Sequence, residues 1–169
     1  MTSFETELVA LVPRLRRYAR ALTGDPGHAD DLVQDTLERG WRKSDRWQAG
    51  SDLRAWLFTI MHNTHVNHVR RAIRRGTTVE YDDRHTAQGA TQETSQLVGE
   101  LDEGLATLPV EQREVLLLVA LEGLRYEEVA GVLDIPIGTV MSRLSRARER
   151  MRRWLDGDQT QTRPLRIVR

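Results

Sequence analysis

Between residues 56 and 75 the sequence sets side-chain amides and imidazoles ahead of cations: Asn63, Asn67 and His68 precede Arg70, Arg71, Arg74 and Arg75. An amide offers a donor and an acceptor together, which fits the pairing edge of an unstacked base, while guanidinium groups neutralise phosphates. A second cationic stretch, residues 141–154, holds six Arg against Glu149 alone. Preceded by a short helical segment and a tight turn, it is patterned to enter a DNA major groove, where Arg reaches guanine O6 and N7. His62, His65 and His68 are spaced by three, but the third ring rotates away and no Cys or well-placed acid completes a tetrahedral set, so no metal site is expected. The chain has no cysteine, and it contains no GxxxxGK[ST] loop, GxGxxG turn, GxSxG elbow or HExxH helix. Thiol catalysis, disulfides and zinc ribbons are thereby excluded, and neither an enzyme nor a bound cofactor is expected.

These stretches need helices to hold them. Leu8, Leu11, Val12, Leu15, Tyr18, Ala19 and Leu22 recur at helical spacing until the stop TGDPG. A second helix carries a stripe of Ala29, Leu32, Val33, Leu37 and Trp41, all expected to be buried, opposite Asp30, Asp31, Gln34, Asp35 and Glu38. After a loop at 48–52 comes a third helix, whose Trp56, Leu57, Ile60, Met61, Val66, Val69 and Ile73 are expected to pack inward. Residues 76–95 lack any apolar period and are rich in Thr, Gln, Gly and acids, the composition of a flexible acidic tether. Beyond it, a helix starting at Leu108-Pro109 runs to Gly123, a short one spans 126–133, and a third begins near Thr139. On that last helix Val140, Leu144, Ala147, Met151 and Trp154 share a side opposite Ser142, Arg143, Arg146 and Arg150. No alternation points to strands, so the expected fold is all-α, two small helical domains joined by a flexible linker. The expected boundaries are 1–75, a linker at 76–98, 99–156, and a tail at 157–169.

Charge is balanced in total, 25 basic against 25 acidic residues, but not in distribution. Residues 1–75 carry a net +4, residues 100–134 a net −7 and residues 141–154 a net +5. An acidic segment beside a dense cationic helix directs a polyanion to that helix alone. Met1 is followed by Thr2, Ser3, Phe4 and Glu5 rather than by a basic and then an apolar segment, and nowhere do 18 uncharged apolar residues run together. A cytoplasmic location without membrane insertion is therefore expected.

The segment GLRYEEVAGVLDIPIGTVMSRLSRARERMRR at 123–153 resembles the C-terminal DNA-binding domain of bacterial sigma factors of the extracytoplasmic-function (ECF) group. ADDLVQDTLERGW at 29–41 and RAWLFTIMHNTHVNHVRR at 54–71 resemble their promoter-melting domain. The resemblance implies a non-enzymatic subunit that binds core RNA polymerase, recognises minus-35 and minus-ten promoter elements and helps open the duplex. By position, it implies that Asp31, Gln34, Asp35 and Glu38 dock on the beta-prime clamp helices, while the second domain meets the beta flap. It gives base capture in the minus-ten element to Asn63, with Asn67, Arg70 and Arg71 on the adjoining backbone. It gives the minus-35 element to Ser142, Arg143 and Arg146 near base edges and Arg150 on phosphate. Met141 and Ser145 stand where relatives carry a basic and an aromatic residue, so the bases read do not transfer. Arg125 replaces the usual Ser or Thr before the helix-turn-helix, which weakens the expected cap.

The family further implies stress response and an anti-sigma factor that masks the polymerase-binding faces. The tether, about 25 Å in root-mean-square span, allows the domains either to separate or to fold together. The alternative reading is a sigma-like mimic that sequesters an anti-sigma protein without binding DNA; it predicts a recognition helix stripped of cations, whereas this one keeps six Arg.

Overall fold

The computed structural model describes residues 2–76 and 92–157, and for 92–96 the backbone alone. Most of the expected linker and all but the first residue of the expected tail lie outside the described residues. Seven α-helices and no strand occur among the described residues: α1 (Ser3–Thr23), α2 (Pro26–Arg42), α3 (Leu53–Arg74), α4 (Gln92–Ala106), α5 (Val110–Leu116), α6 (Tyr126–Leu133) and α7 (Ile137–Leu155). A short 3-10 turn, Ser44–Arg46, follows α2, and α5 continues into a π-helical turn, Leu117–Leu121. The all-α expectation holds, but the second unit has four helices among the described residues rather than the expected three: α4 begins at Gln92, inside the 76–98 segment, because the polar turn 92–95 leads without a stop into Leu97, Val98, Leu101 and Leu105.

Local chemistry fixes the helix ends. Thr2 and Glu5 close a reciprocal capping box on α1, and Gly24 ends it in the left-handed region at φ 68°. Asp25 caps α2 through the His28 N–H, with Pro26 in the first turn. Asp52 caps α3 through the Ala55 N–H at 3.2 Å. Burial pushes the Asp52 carboxyl up, but that N–H bond and the Arg54 charge outweigh it and hold the group below its ordinary value. Arg125 supplies no capping oxygen; Glu128 instead accepts the Arg125 N–H at 3.2 Å and its Nε–H at 3.0 Å, which secures α6.

The first unit packs α1, α2 and α3 around Leu15, Leu22, Leu32, Leu57, Phe58 and Met61, all almost fully buried. Tyr18 and Phe58 meet edge-on with centroids 4.9 Å apart. The second unit packs α4 to α7 around Val115, Leu118, Val129, Val140 and Leu144. The two units are themselves in contact through α1, α3, α5 and α6, so the apolar core is continuous from Phe4 to Leu144.

Three apolar positions depart from expectation. Trp41 is 53% exposed rather than buried, because the helices cross at Gly40, where a Cβ would stand 3.0 Å from Leu57. That close approach turns the next residue outward, and Trp41 lies beside Phe4, at 6.3 Å between centroids. Val69 and Ile73 are exposed because the buried positions of α3 end at His65. Their two turns extend past the bundle and carry Arg70, Arg71 and Arg74 into solvent.

Candidate nucleic-acid and polymerase interfaces

Helix α2 presents Asp31, Gln34 and Glu38 to solvent on one face, and the Glu38 carboxylate pairs with Arg42 one turn on. Asp35 belongs to the same stripe but is only partly exposed, because its Oδ2 lies 2.7 Å from His68 Nε2 on α3. The acidic face and the amide-bearing helix are therefore coupled through one hydrogen bond.

On α3, Asn63 is exposed and Asn67 half-exposed, with Arg70 and Arg71 exposed a turn later. Residues at intervals of four, seven and eight fall on one helix face, so these four form a continuous strip of amides followed by guanidiniums. Beside it Thr64 is buried and gives its hydroxyl proton to the Ile60 carbonyl one turn back at 2.7 Å, which satisfies that group inside the core. Trp56 is half-buried, 6.3 Å from Phe4, and the same ring lies near Gly40.

The three histidines diverge. His62 Nδ1 is 2.8 Å from Glu114 Oε1 on α5, and His68 takes Asp35 on the opposite flank. His65 is buried between them, with Nε2 lacking a hydrogen-bond partner. Burial lowers its affinity for a proton; Glu114 pulls the other way, while His62, His68 and Arg113 add to the lowering. Among the described residues no three His, Asp or Glu side chains are grouped as a metal would need.

In the second unit α6, the turn at 134–136 and α7 form a helix-turn-helix. Asp134 takes the left-handed conformation at φ 53°, and the Ile135 N–H returns to the Ala130 carbonyl at 3.1 Å. Val140, Leu144 and Ala147 anchor α7 to the core. Ser142, Arg146 and Arg150 are exposed on the outer side, and Arg143 is half-buried at its edge. Ser142 donates to the Thr139 carbonyl at 3.2 Å, and Arg150 reaches the Thr107 carbonyl at 3.5 Å. Met141 and Ser145 line a shallow depression with Tyr126, Arg148 and Arg152 on a neighbouring face.

Sequence reasoning missed the groups that join the units. Glu122, which ends an apolar run just before the glycine stop, has a side chain with no exposure and accepts from Arg14 Nε at 3.0 Å and Arg17 Nη2 at 3.3 Å. Arg54 gives Nη1–H to the Glu122 carbonyl at 3.0 Å. In the other direction, buried Arg113 caps the end of α1 through the Leu22 carbonyl at 2.8 Å. An acid closing an unbroken apolar run was the available signal for Glu122. The Arg residues lie on periodic helices, where a cation ordinarily means solvent.

Comparison with known proteins agrees with both units. The family model described as the Sigma2 domain of PhyR matches residues 8–62, and that described as Sigma-70, region 4, matches residues 99–151. An ECF RNA polymerase sigma factor, EcfG, of Rhodopseudomonas palustris is 37% identical over 150 residues, covering 88% of this chain and 83% of the relative. The ECF sigma factor SigC of Mycobacterium tuberculosis is 40% identical over 137 residues, covering 76% and 71%. Among solved structures, the sigma factor RpoE of Bartonella quintana, crystallised with the anti-sigma factor NepR, matches with a TM-score of 0.82 and 35% identity, over 94% of this chain and 100% of that one. The chain belongs to the ECF group of RNA polymerase sigma factors. No helix among the described residues is long and apolar enough to cross a membrane.

Proposed function

We propose that this chain is a transcription initiation factor of the cytoplasm that joins core RNA polymerase, reads minus-35 and minus-ten promoter elements and assists strand opening, without catalysing a reaction itself. The observation that carries the reading is 37% identity over 88% of the chain to a protein named as an ECF sigma factor, with both a region 2-like and a region 4-like unit retained. In this reading Asp31, Gln34, Asp35 and Glu38 dock on the beta-prime clamp helices, and the second unit meets the beta flap. Asn63 captures an unpaired base while Asn67, Arg70 and Arg71 follow the backbone; Ser142, Arg143, Arg146 and Arg150 read the minus-35 element. Base capture costs a few kcal/mol of unstacking, which pocket contacts and cations can offset without hydrolysis. An anti-sigma protein restrains the factor until a stress signal releases it, a role supported by the partner named for the Bartonella structure.

The test uses the exposed members of the acidic stripe, because Asp35 is tied to His68 and its replacement would also disturb α3. A Gln34→Ala, Glu38→Arg variant is expected to keep its helical circular dichroism and lose at least ten-fold in affinity for core polymerase. Unchanged binding would remove the docking assignment.

A second reading, a mimic that only captures an anti-sigma protein, draws on the match of residues 8–62 to the Sigma2 domain of PhyR. The solved structure of the anti-anti-sigma factor PhyR of Bartonella quintana shares 19% identity, which speaks to fold alone. The exposed Arg146 and Arg150 favour the DNA-binding reading. Promoter-specific binding by the chain with core enzyme separates the two.

A further inference from the structure

Beside the shared apolar core, the contact between the two units holds a cluster of charged groups. Leu117–Leu121 winds as a π turn in which the Glu122 N–H bonds the Leu117 carbonyl at 3.1 Å, and Gly123 follows at φ 66°. This winding presents the negative end of the helix, with the Leu121 and Glu122 carbonyls and the Glu122 carboxylate, to the first unit. Arg14, Arg17 and Arg54 meet those groups from α1 and α3, and Arg54 also approaches Glu128 on α6, at 3.8 Å. His62 and Glu114 form a second joint, and Arg113 with the Leu22 carbonyl a third.

Size sets the consequence. A compact chain of 169 residues has a radius of gyration of about 15 Å and spans about 40 Å. Elements centred at minus-ten and minus-35 lie about 25 base pairs apart, about 85 Å at 3.4 Å per step. A chain whose units are clamped together cannot occupy both. Glu122 is buried while Arg14 and Arg17 keep 38% and 54% of their side chains exposed, so removing the Arg partners strands a carboxylate in the closed arrangement, whereas separating the units returns it to water.

We infer that Glu122, held by Arg14, Arg17 and Arg54, is an intramolecular latch that keeps the free factor closed, and that the latch must release before the factor spans a promoter. The inference rests on the sigma-factor reading for its consequence, but the latch can be observed without it. The chain contains no cysteine, so a Gln48→Cys, Asp156→Cys pair on exposed sites of the two units accepts donor and acceptor dyes cleanly. Two further variants of the labelled full chain carry Glu122→Gln or Arg14→Gln with Arg17→Gln. The second pair alters partly exposed side chains and protects the test against misfolding of the first. With helical circular dichroism retained, both are expected to lower transfer efficiency and to raise the population of separated units at least ten-fold. They are also expected to bind core polymerase faster than the parent when no other protein is present. Native transfer efficiency in the Arg14→Gln, Arg17→Gln chain would overturn the latch. Reduced transfer without faster polymerase binding would also overturn it as a restraint on activity, while absence of polymerase binding by every chain, the parent included, would overturn the sigma-factor reading instead.

Discussion

Asn63 owes its accessibility to the buried stripe of α3, Leu57, Ile60, Met61 and Thr64, which packs into the bundle and leaves Asn63 off that stripe. If Asn63 captures a base, Asn63→Ala should slow strand opening by at least ten-fold while leaving closed-complex affinity within about three-fold, a separation that permanganate reactivity against filter binding can read. Two positions on, His65 is buried and titratable. Burial keeps its folded proton affinity below the ordinary value, so the folded chain binds fewer protons than the unfolded one. The stability linked to His65 is thus fully present above about pH 6.5 and is lost as the pH falls below it. A His65→Leu chain is expected to show a smaller drop in Tm between pH 7 and pH 5.5 than the parent; an identical drop would locate the acid sensitivity elsewhere. The spacing of three revealed that the histidines lie near one another, but not that His62 and His68 would each be taken by a carboxylate from a different helix. Such pairings are tertiary and leave no trace in a local pattern.

At the scale of elements, α1 to α3 and α5 to α7 were legible because their apolar periods end at strong stops such as Gly24 and Gly123, whereas α4, whose first turn lies in a stretch rich in Thr and Gln, was not anticipated. What failed was the orientation of positions at helix ends. Periodicity assigned Trp41 to the core, yet Gly40 takes the contact with Leu57 and turns Trp41 outward. Another glycine governs the second unit. Gly104 is buried, and a Cβ there would come within 2.7 Å of the Trp154 ring, whose Nε1–H donates to the Glu100 carbonyl at 3.2 Å. Gly104→Ala should therefore push Trp154 away and destabilise the α4 to α7 contact by about 1–3 kcal/mol, against the small gain in helix propensity. Chemical denaturation monitored by tryptophan fluorescence measures this directly, and an unchanged midpoint would show that the ring yields freely.

Over the whole molecule, two helical modules could be anticipated from residue order and charge blocks, and the family comparisons match one segment in each. The joint between them could not, because Arg14, Arg17 and Arg54 on amphipathic helices look the same in sequence whether they face water or a buried carboxylate. Nor does sequence alone say how two charge-bearing modules sit when no polymerase holds them. The most direct measurement is to mix the purified chain with core RNA polymerase and genomic DNA, then sequence the 5′ ends of the transcripts. Initiation at a discrete set of sites sharing upstream motifs near minus-ten and minus-35, absent with core enzyme alone, is the predicted result. Transcripts indistinguishable from those of core enzyme alone, from a chain that is folded, would contradict it.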